Sequence, residues 1–179
     1  SKISWQIDIE YLEILKNAGF DQIVFPVESG SQRILQRYAT NKVFLEKMNL
    51  PFLMKKMTDI GISAPVNMMI GFPDETEDEV SESIDLAKKL IDNGAPYVTF
   101  FVPIPFPGSA LHEIALKGNH IEKDFDPDLM NWKRPIMRNT IIPSERLEFI
   151  RDTANDNINS ELHLKKRLKQ SMAGRWLSN

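Results

Sequence analysis

The sequence predicts an α/β fold built from parallel βα units. Three strand-like runs, 22–27, 64–70 and 97–102, each give way to turn residues and then to a segment with helical spacing of apolar residues. This alternation favours right-handed crossovers that place the strands in parallel. A closed (β/α)8 barrel takes about 250 residues. A chain of 179 residues is therefore either a small open sheet or part of a larger barrel.

The composition bounds the class of protein. With 42% hydrophobic residues, the chain can bury one sizeable core. A net charge of -3 gives no reason to expect attraction to nucleic acid or to a membrane surface. No apolar run is long enough to cross a bilayer and the N-terminus lacks a secretory pattern, so we expect a cytoplasmic setting.

The sequence offers few metal ligands. It contains no cysteine, which excludes disulfides and thiolate metal sites within this chain. The three histidines, His112, His120 and His163, show no ligand spacing. We therefore expect no transition metal held by this chain alone.

The first two units are marked by caps and breakers. Asp8 can cap a helix that carries Leu12 on its apolar face and ends at Gly19. In the strand that follows, Pro26 cannot donate to a ladder and indicates a bulge or the end of the strand. Ser31 then fits the N-cap of the next helix, a role that we favour over contact with a ligand.

The central unit contains the clearest pattern. Asn49 and Pro51 predict a helix start, with Gly61 after its end. The run 64–70 is apolar at almost every position, so we expect a strand buried on both faces. Thr76 and Glu79 have the spacing of a capping box at the start of a long helix.

The last part is less regular. The strand 97–102 ends in a proline-rich loop, and 110–117 predicts a short helix closed by Gly118. Residues 119–142 show no clean period, but their apolar side chains indicate a segment packed on the body: Phe125, Leu129, Met130, Trp132, Ile136 and Met137. Pro143 and Ser144 can begin a last helix. The basic end 165–169 is interpreted as a solvated helix end in preference to a site for an anionic partner.

Three motifs follow the predicted strands: VESGSQRIL at 27–35, MIGFPDET at 69–76 and PIPFPGSAL at 103–111. In this order and spacing they resemble the late strand ends of radical S-adenosylmethionine enzymes. The resemblance runs from about Asp8 to Ala115 and is strongest to the branch that includes the Elongator catalytic subunit, the methylthiotransferases and the cobalamin-binding radical enzymes. It implies parallel βα units that form the second half of a partial (β/α)6 TIM-like barrel over 1–118, followed by an irregular and helical C-terminal extension over 119–179.

The resemblance also implies an activity for the intact protein. A 4Fe-4S cluster would reduce bound S-adenosylmethionine, and the resulting 5′-deoxyadenosyl radical would attack a substrate. Because the cysteines that bind the cluster are absent, we expect this chain to be a fragment that is inactive alone, with the ligands in a missing N-terminal half. The alternative is a non-catalytic barrel remnant that binds an adenosyl ligand or a protein. A cobalamin domain upstream is a further expectation from the branch.

The resemblance assigns cofactor contacts to specific positions. Glu28 would accept from the ribose hydroxyls, Asn67 would be a polar contact, and Lys42 would meet the cofactor carboxylate. The turn Gly71, Phe72 and Pro73 would lie against the adenine, Ile104 would end the last strand near adenine or substrate, and Ser29 is a further candidate.

Each assignment has a structural alternative. Glu28 could pair with Arg33 or Lys42, Asn67 could be a satisfied core amide, and the acidic residues after Pro73 could only stabilise a helix start. We favour the functional interpretation for Glu28 and Asn67. His112 is expected to face solvent rather than substrate. The small-molecule substrate is not predicted, and the lack of a basic stripe argues against a nucleic-acid partner.

Overall fold

The computed structural model describes residues 9–39, 45, 47–131, 134–161, 163–165 and 168–169. Within these ranges each of the three strands is followed by at least one helix, as predicted. In chain order the elements are α1 Ile9–Asn17, β1 Phe25–Glu28, α2 Gln32–Tyr38, α3 Leu50–Asp59, β2 Val66–Met69, α4 Glu77–Asp92, β3 Val98–Phe101, α5 Ala110–Lys117, a 3-10 turn Pro127–Leu129, and α6 Ser144–Ile158.

Local sequence signals place most helix ends correctly. Ser31 accepts from the Ile34 amide at the start of α2, and Asn49 accepts from the Phe52 amide at the start of α3. Thr76 forms the predicted capping box at the start of α4. Asp8 lies outside the described residues. None of the helices in the described ranges is long and apolar enough to span a bilayer.

The three strands form one parallel sheet in the order β1-β2-β3. Phe25 pairs with Val66, and Val66 pairs with Val98. The register shifts between Pro26 and Glu28, which confirms the bulge indicated by Pro26. All three strands therefore end at the same edge of the sheet.

One face of this sheet is buried by helices and the other is not. On the helix-covered face, Val66 and Met68 of β2 are fully buried with Val98 and Phe100 of β3, and they share a core with residues of α3, α4 and α6. On the opposite face, which we call the open face, burial is only partial. The open face consists of Pro26, Asn67, Met69, Thr99 and Phe101. The expectation that β2 is buried on both faces is therefore wrong for the described residues, because none of their helices forms a second layer over the open face.

Helix α6 covers the outer edge of β3. Asn155 Oδ1 accepts from the Phe100 amide at 3.0 Å, and Asn155 Nδ2 donates to the Phe100 carbonyl at 3.4 Å. Asn159 repeats the pattern on Val98, with an acceptor distance of 2.9 Å and a donor distance of 2.6 Å. The two asparagines lie one helical turn apart and satisfy backbone groups that would otherwise be unpaired at the sheet edge.

The segment after α5 packs around a smaller cluster formed by Ala115, Ile121 and Met137, with Phe125 against it. This confirms an irregular, packed segment. Leu129, however, is 60% exposed and does not join the cluster, and Trp132 lies outside the described residues. None of the three residues of the 3-10 turn Pro127–Leu129 is buried.

Candidate functional site

The candidate site lies where the three strands end. β1 ends at Glu28, β2 runs into the turn 71–76, and β3 runs into the loop that contains Ile104. In parallel α/β proteins this edge is where ligands bind. Some of the predicted site residues are partly exposed at this edge, whereas others are buried by contacts with the rest of the chain.

Glu28 is half-buried and has an unusual backbone conformation. Its φ of 70° lies in the left-handed region, which glycine adopts freely and glutamate rarely adopts. The bulge at Pro26 precedes it and re-aims the end of the strand. A non-glycine residue held in this region stores backbone strain, and such strain is frequent at binding sites.

Asn67 is half-buried on the open face and is not a satisfied core amide. Its side chain makes no hydrogen bond within the described residues. Its register partner on β3 is Thr99, whose hydroxyl likewise makes no hydrogen bond there. The structural alternative for Asn67 is therefore wrong, although its contact with a cofactor stays a prediction.

The turn 71–76 is closed by its own glutamate. Glu75 is fully buried, and its Oε2 accepts from the Gly71 amide at 2.5 Å and from the Phe72 amide at 3.1 Å. Its Oε1 has no hydrogen-bond partner among the residues that the structure describes. Burial raises the pKa of Glu75 to about 7, against the opposite effect of the two amide hydrogen bonds. The N–H groups of Gly71 and Phe72, in the turn that was predicted to lie against the adenine, are thus already bonded within the turn.

Gly71 is also covered from outside the turn. Its φ is 100°, and a Cβ at this position would overlap Leu147 Cδ2 of α6. The void between this glycine, Val102 and the segment around Met137 is only about 10 Å³, room for about one water molecule. The glycine is therefore required by the packing of α6, and the adenine contact predicted for the turn gains no support.

Phe72 and Pro73 belong to the same buried turn. The Phe72 ring stacks on Tyr38 with centroids 4.6 Å apart, and the Pro73 carbonyl accepts from the Ile141 amide. Tyr38 donates to Asp74 Oδ1 at 2.5 Å. The turn is thus held against α2 and against the segment that precedes α6.

Arg33 of α2 adds ion pairs to the contact between this helix and the turn. Its guanidinium donates to Glu79 through Nε at 2.7 Å and Nη2 at 2.6 Å, and to Asp74 Oδ2 at 3.0 Å. The hydrogen bond from Arg33 lowers the pKa of Glu79 to about 2. Burial acts to raise the pKa of Asp74, but hydrogen bonds from Tyr38 and Arg33 bring it below its usual value.

Ser29 is fully buried and bonded within the protein. Its hydroxyl lies 3.2 Å from that of Ser83 on α4 and accepts from the Ser31 amide at 3.1 Å. The prediction that Ser29 contacts the cofactor is not supported by this geometry, because α4 covers the hydroxyl. Ser31 donates to Glu79 at 2.9 Å in addition to capping α2.

The other predicted positions differ in what the structure says of them. Ile104 is half-buried in the loop after β3, and Lys42 lies outside the described residues. The expectation that His112 faces solvent is wrong, because its side chain is only 20% exposed and its Nδ1 is buried, with no hydrogen bond to any described residue. His112 lies in the first turn of α5, next to the proline-rich loop.

Sequence analysis did not identify Thr99, Tyr38 or Glu75 as site residues. Glu75 lay in the quoted motif, but only as part of an acidic first turn. Thr99 could be found only from the register of β2 and β3, and Tyr38 only from its contact with Phe72. Each signal depends on contacts between residues far apart in the chain.

A larger cleft of about 710 Å³ lies elsewhere, between α4 and the connection from α2 to α3. Its lining mixes Lys47 and Lys89 with Glu82 and Asp85. No strand residue contributes to it, so we place the candidate site at the strand ends and the open face.

Comparison with known proteins gives sequence relatives. No family model matches the chain. An uncharacterized methyltransferase of Pyrococcus horikoshii is 32% identical over 139 residues, which are 74% of this chain and 28% of that protein. The cytidylyl-2-hydroxyethylphosphonate methyltransferase of Streptomyces wedmorensis is 26% identical over 139 residues, or 74% of this chain and 25% of the relative. The chain thus spans about a quarter of the length of these methyltransferases.

A shorter match is to the tRNA-2-methylthio-N(6)-dimethylallyladenosine synthase of Clostridium beijerinckii, 34% identical over 71 residues, or 39% of this chain and 15% of that enzyme. Among solved structures, the coproporphyrinogen III oxidase HemN from Escherichia coli, described as a radical SAM enzyme, matches with a TM-score of 0.51 and 17% identity. The match covers 61% of this chain and 24% of HemN. At this identity the likeness shows a shared fold. Together, the fold and the sequence relatives support a relationship to the radical SAM superfamily.

Proposed function

We propose that this chain is the adenosyl-binding part of a radical S-adenosylmethionine enzyme whose other parts lie outside it. The observation that carries the proposal is the parallel sheet with Glu28 in a strained conformation at one strand end and Asn67 on the open face, where its side chain bonds to none of the described residues. The relatives in sequence and fold favour an enzyme over a non-catalytic remnant.

The residues present fit the adenosyl part of this cofactor but not an iron–sulfur cluster. A cluster needs thiolate ligands, and the chain has none. The thiolates would come from residues outside the chain. The Glu28 carboxylate can accept from two ribose hydroxyls, and the Asn67 amide can both donate and accept. S-adenosylmethionine, when bound in the intact enzyme, supplies the adenosyl and methionyl groups for radical chemistry.

The role of this chain is then binding and orientation. The contacts of Arg33 and Tyr38 with the turn 71–76 fix the end of β2. Leu147 of α6 closes the same turn from the other side. A rigid strand end holds Asn67 in place, which reduces the entropy that is lost when a ligand binds.

We propose methyl transfer to a small molecule as the reaction class of the whole protein. The two methyltransferases match 74% of this chain, whereas the tRNA-modifying synthase matches 39%. The net charge of -3 also argues against a tRNA-binding surface in this chain. The cobalamin domain stays a prediction from the sequence.

Binding is the first test. Isothermal titration of this chain with S-adenosylmethionine and S-adenosylhomocysteine should show binding, weakened about tenfold in Glu28→Gln because a carboxylate accepts more strongly than an amide. Glu13→Gln on the exposed side of α1 is the matched control. If neither compound binds the unaltered chain, the proposed role in cofactor binding is wrong.

Activity is tested on the full-length protein. After reconstitution with iron and sulfide, we expect reductant-dependent cleavage of S-adenosylmethionine, measured by chromatography. Binding without cleavage, in a full-length protein that lacks a Cys-x-x-x-Cys-x-x-Cys segment, would favour the non-catalytic alternative.

A further inference from the structure

Glu28 lies at the centre of a three-residue turn that ends β1. The Ser29 amide donates to the Val27 carbonyl at 3.0 Å, and the φ of Glu28 between them is 70°. A hydrogen bond that spans two residues around a positive φ is a γ-turn of the rare, strained kind. Such a conformation persists only where the surrounding contacts fix it, so the contacts that flank Glu28 determine how its side chain is aimed.

Ser83 of α4 holds the residues that follow Glu28. Ser83 is fully buried; its Oγ accepts from the Gly30 amide at 2.8 Å and lies 3.2 Å from the Ser29 hydroxyl. Ser83 Oγ also donates to the Glu79 carbonyl at 3.2 Å. A serine hydroxyl has one donor and two acceptor sites, so Ser29 donates to Ser83 and all three sites are occupied. One buried hydroxyl thus fixes two consecutive residues directly after Glu28.

The approach of α4 to this turn depends on a glycine. A Cβ at Gly30 would come within 2.5 Å of the Glu82 carbonyl oxygen and 2.6 Å of Ser83 Cα. Both are backbone atoms of a helix, and they cannot move aside unless α4 shifts. Glycine therefore permits the close contact in which the Gly30 N–H reaches Ser83. On the other side of Glu28, Pro26 has a fixed φ and lies at the register shift.

We propose that Ser83 is a positioning residue for Glu28. The assignment rests on the proposed function, in which the Glu28 carboxylate accepts from the ribose hydroxyls. Without the Ser83 hydroxyl, the Gly30 N–H and the Ser29 hydroxyl lose their partner. The turn 27–29 can then relax to a negative φ, which redirects the Glu28 side chain. A helix that follows β2 thereby sets the direction of a binding group at the end of β1.

A double-mutant cycle with Glu28→Gln tests this role, with affinity for S-adenosylhomocysteine measured by isothermal titration. Alone, Ser83→Ala should weaken binding about fivefold, less than the loss expected of Glu28→Gln, because the effect is transmitted through the carboxylate. In the Glu28→Gln background, Ser83→Ala should change the affinity by less than about twofold. A merely structural role would weaken binding by the same factor in both backgrounds.

Two further variants keep the test sharp. Ser81→Ala, on the exposed side of the same helix, is the matched control and should leave the affinity unchanged in both backgrounds. Ser83→Cys keeps the size of the side chain but hydrogen-bonds weakly, so it should give an intermediate affinity even where Ser83→Ala is too unstable to titrate. Thermal unfolding verifies that each variant is folded at the temperature of the titration.

The conformation of Glu28 gives an independent NMR readout. A residue with positive φ shows a strong NOE between its own amide and α protons, because these protons lie close together. This NOE should be strong for Glu28 in the unaltered chain and in Ser81→Ala, and weaker in Ser83→Ala. A loss of stability alone does not change it in the folded chain.

The outcomes separate this inference from the proposed function. The positioning role is wrong, and the proposed function stands, if Ser83→Ala leaves the affinity or the Glu28 NOE unchanged, or if it lowers the affinity equally in both backgrounds. If the unaltered chain does not bind S-adenosylhomocysteine at millimolar concentration, the proposed function is wrong and the positioning role fails with it.

Discussion

At the scale of single residues, Glu28 is held in a backbone conformation that its side chain disfavours. Glu28→Gly and Glu28→Ala remove the same carboxylate, but only glycine relieves the left-handed φ of 70°. We expect the glycine variant to be more stable than the alanine variant by roughly 0.5–1 kcal/mol. Urea unfolding of the two variants measures the difference. Equal stabilities would show that this conformation carries no strain.

The contribution of Glu75 to folding stability depends on pH, with a sign opposite to that of an ordinary ion-paired carboxylate. Its pKa is raised by burial from 4.5 to about 7 in the folded protein. The folded state therefore holds a proton that the unfolded state has lost between these two values. The contribution of Glu75 to stability is complete below pH 4.5 and falls as pH rises towards 7.

Glu75→Gln removes this titration. The stability of the variant relative to the unaltered chain should rise by roughly 3 kcal/mol between pH 4.5 and 7.5, following the size of the pKa change. Urea unfolding across this range checks the prediction, and Asp78→Asn, an exposed first-turn residue of α4, is the control. Parallel stability curves for Glu75→Gln and the unaltered chain would contradict the raised pKa.

At the scale of elements, α6 protects the outer edge of β3 through Asn155 and Asn159. Asn155→Ala and Asn159→Ala each leave a backbone donor and acceptor without a side-chain partner. We expect each to lower the free energy of unfolding by about 1–3 kcal/mol.

Hydrogen exchange provides the specific measurement. The amide of Phe100 should exchange faster in Asn155→Ala, and that of Val98 in Asn159→Ala, because each asparagine accepts from that amide. Asn157→Ala, on the exposed side of the same helix, should change neither amide. Unchanged exchange at Phe100 and Val98 would mean that water satisfies the edge equally well.

The elements also show what the sequence could and could not predict. The caps at Ser31, Asn49 and Thr76 were predicted because a cap is made by residues three positions apart. The burial of β2 on both faces was wrong, since an apolar run does not reveal whether a second layer covers it. Ser29 was named as a candidate cofactor contact, and its contact with Ser83, 54 residues away in the chain, could not be predicted from the sequence.

At the scale of the whole molecule, two carboxylates change the stability of the fold in opposite directions as the pH changes. The hydrogen bond from Arg33 lowers the pKa of Glu79 to about 2, so this contribution is present above pH 4.5 and is lost as pH falls towards 2. Glu75 loses its contribution above pH 4.5. These groups together predict a maximum of stability near pH 4.5.

Arg33→Met tests the acid side of this maximum. It keeps an apolar stem but removes the charge that bonds Glu79, and the exposed guanidinium is screened by solvent, so we expect a loss of about 1 kcal/mol at pH 5. The loss should disappear towards pH 2, measured by thermal unfolding. Arg134→Met, an exposed arginine far along the chain, is the control. A loss that is the same at both pH values would assign the effect to packing instead of charge.

The spacing of Asn155 and Asn159 has a consequence for how this fold can be lengthened. Four residues of α-helix rise about 6 Å, close to the advance of two strand residues, so α6 presents side-chain amides at the repeat of a neighbouring strand. His163 continues the series, with its Nε2 2.9 Å from the Pro96 carbonyl. Side chains of the helix therefore form the hydrogen bonds that a neighbouring strand would otherwise form with the edge of β3. The Val98 and Phe100 backbone groups at the outer edge of β3 are thus already bonded and are not available to a further strand.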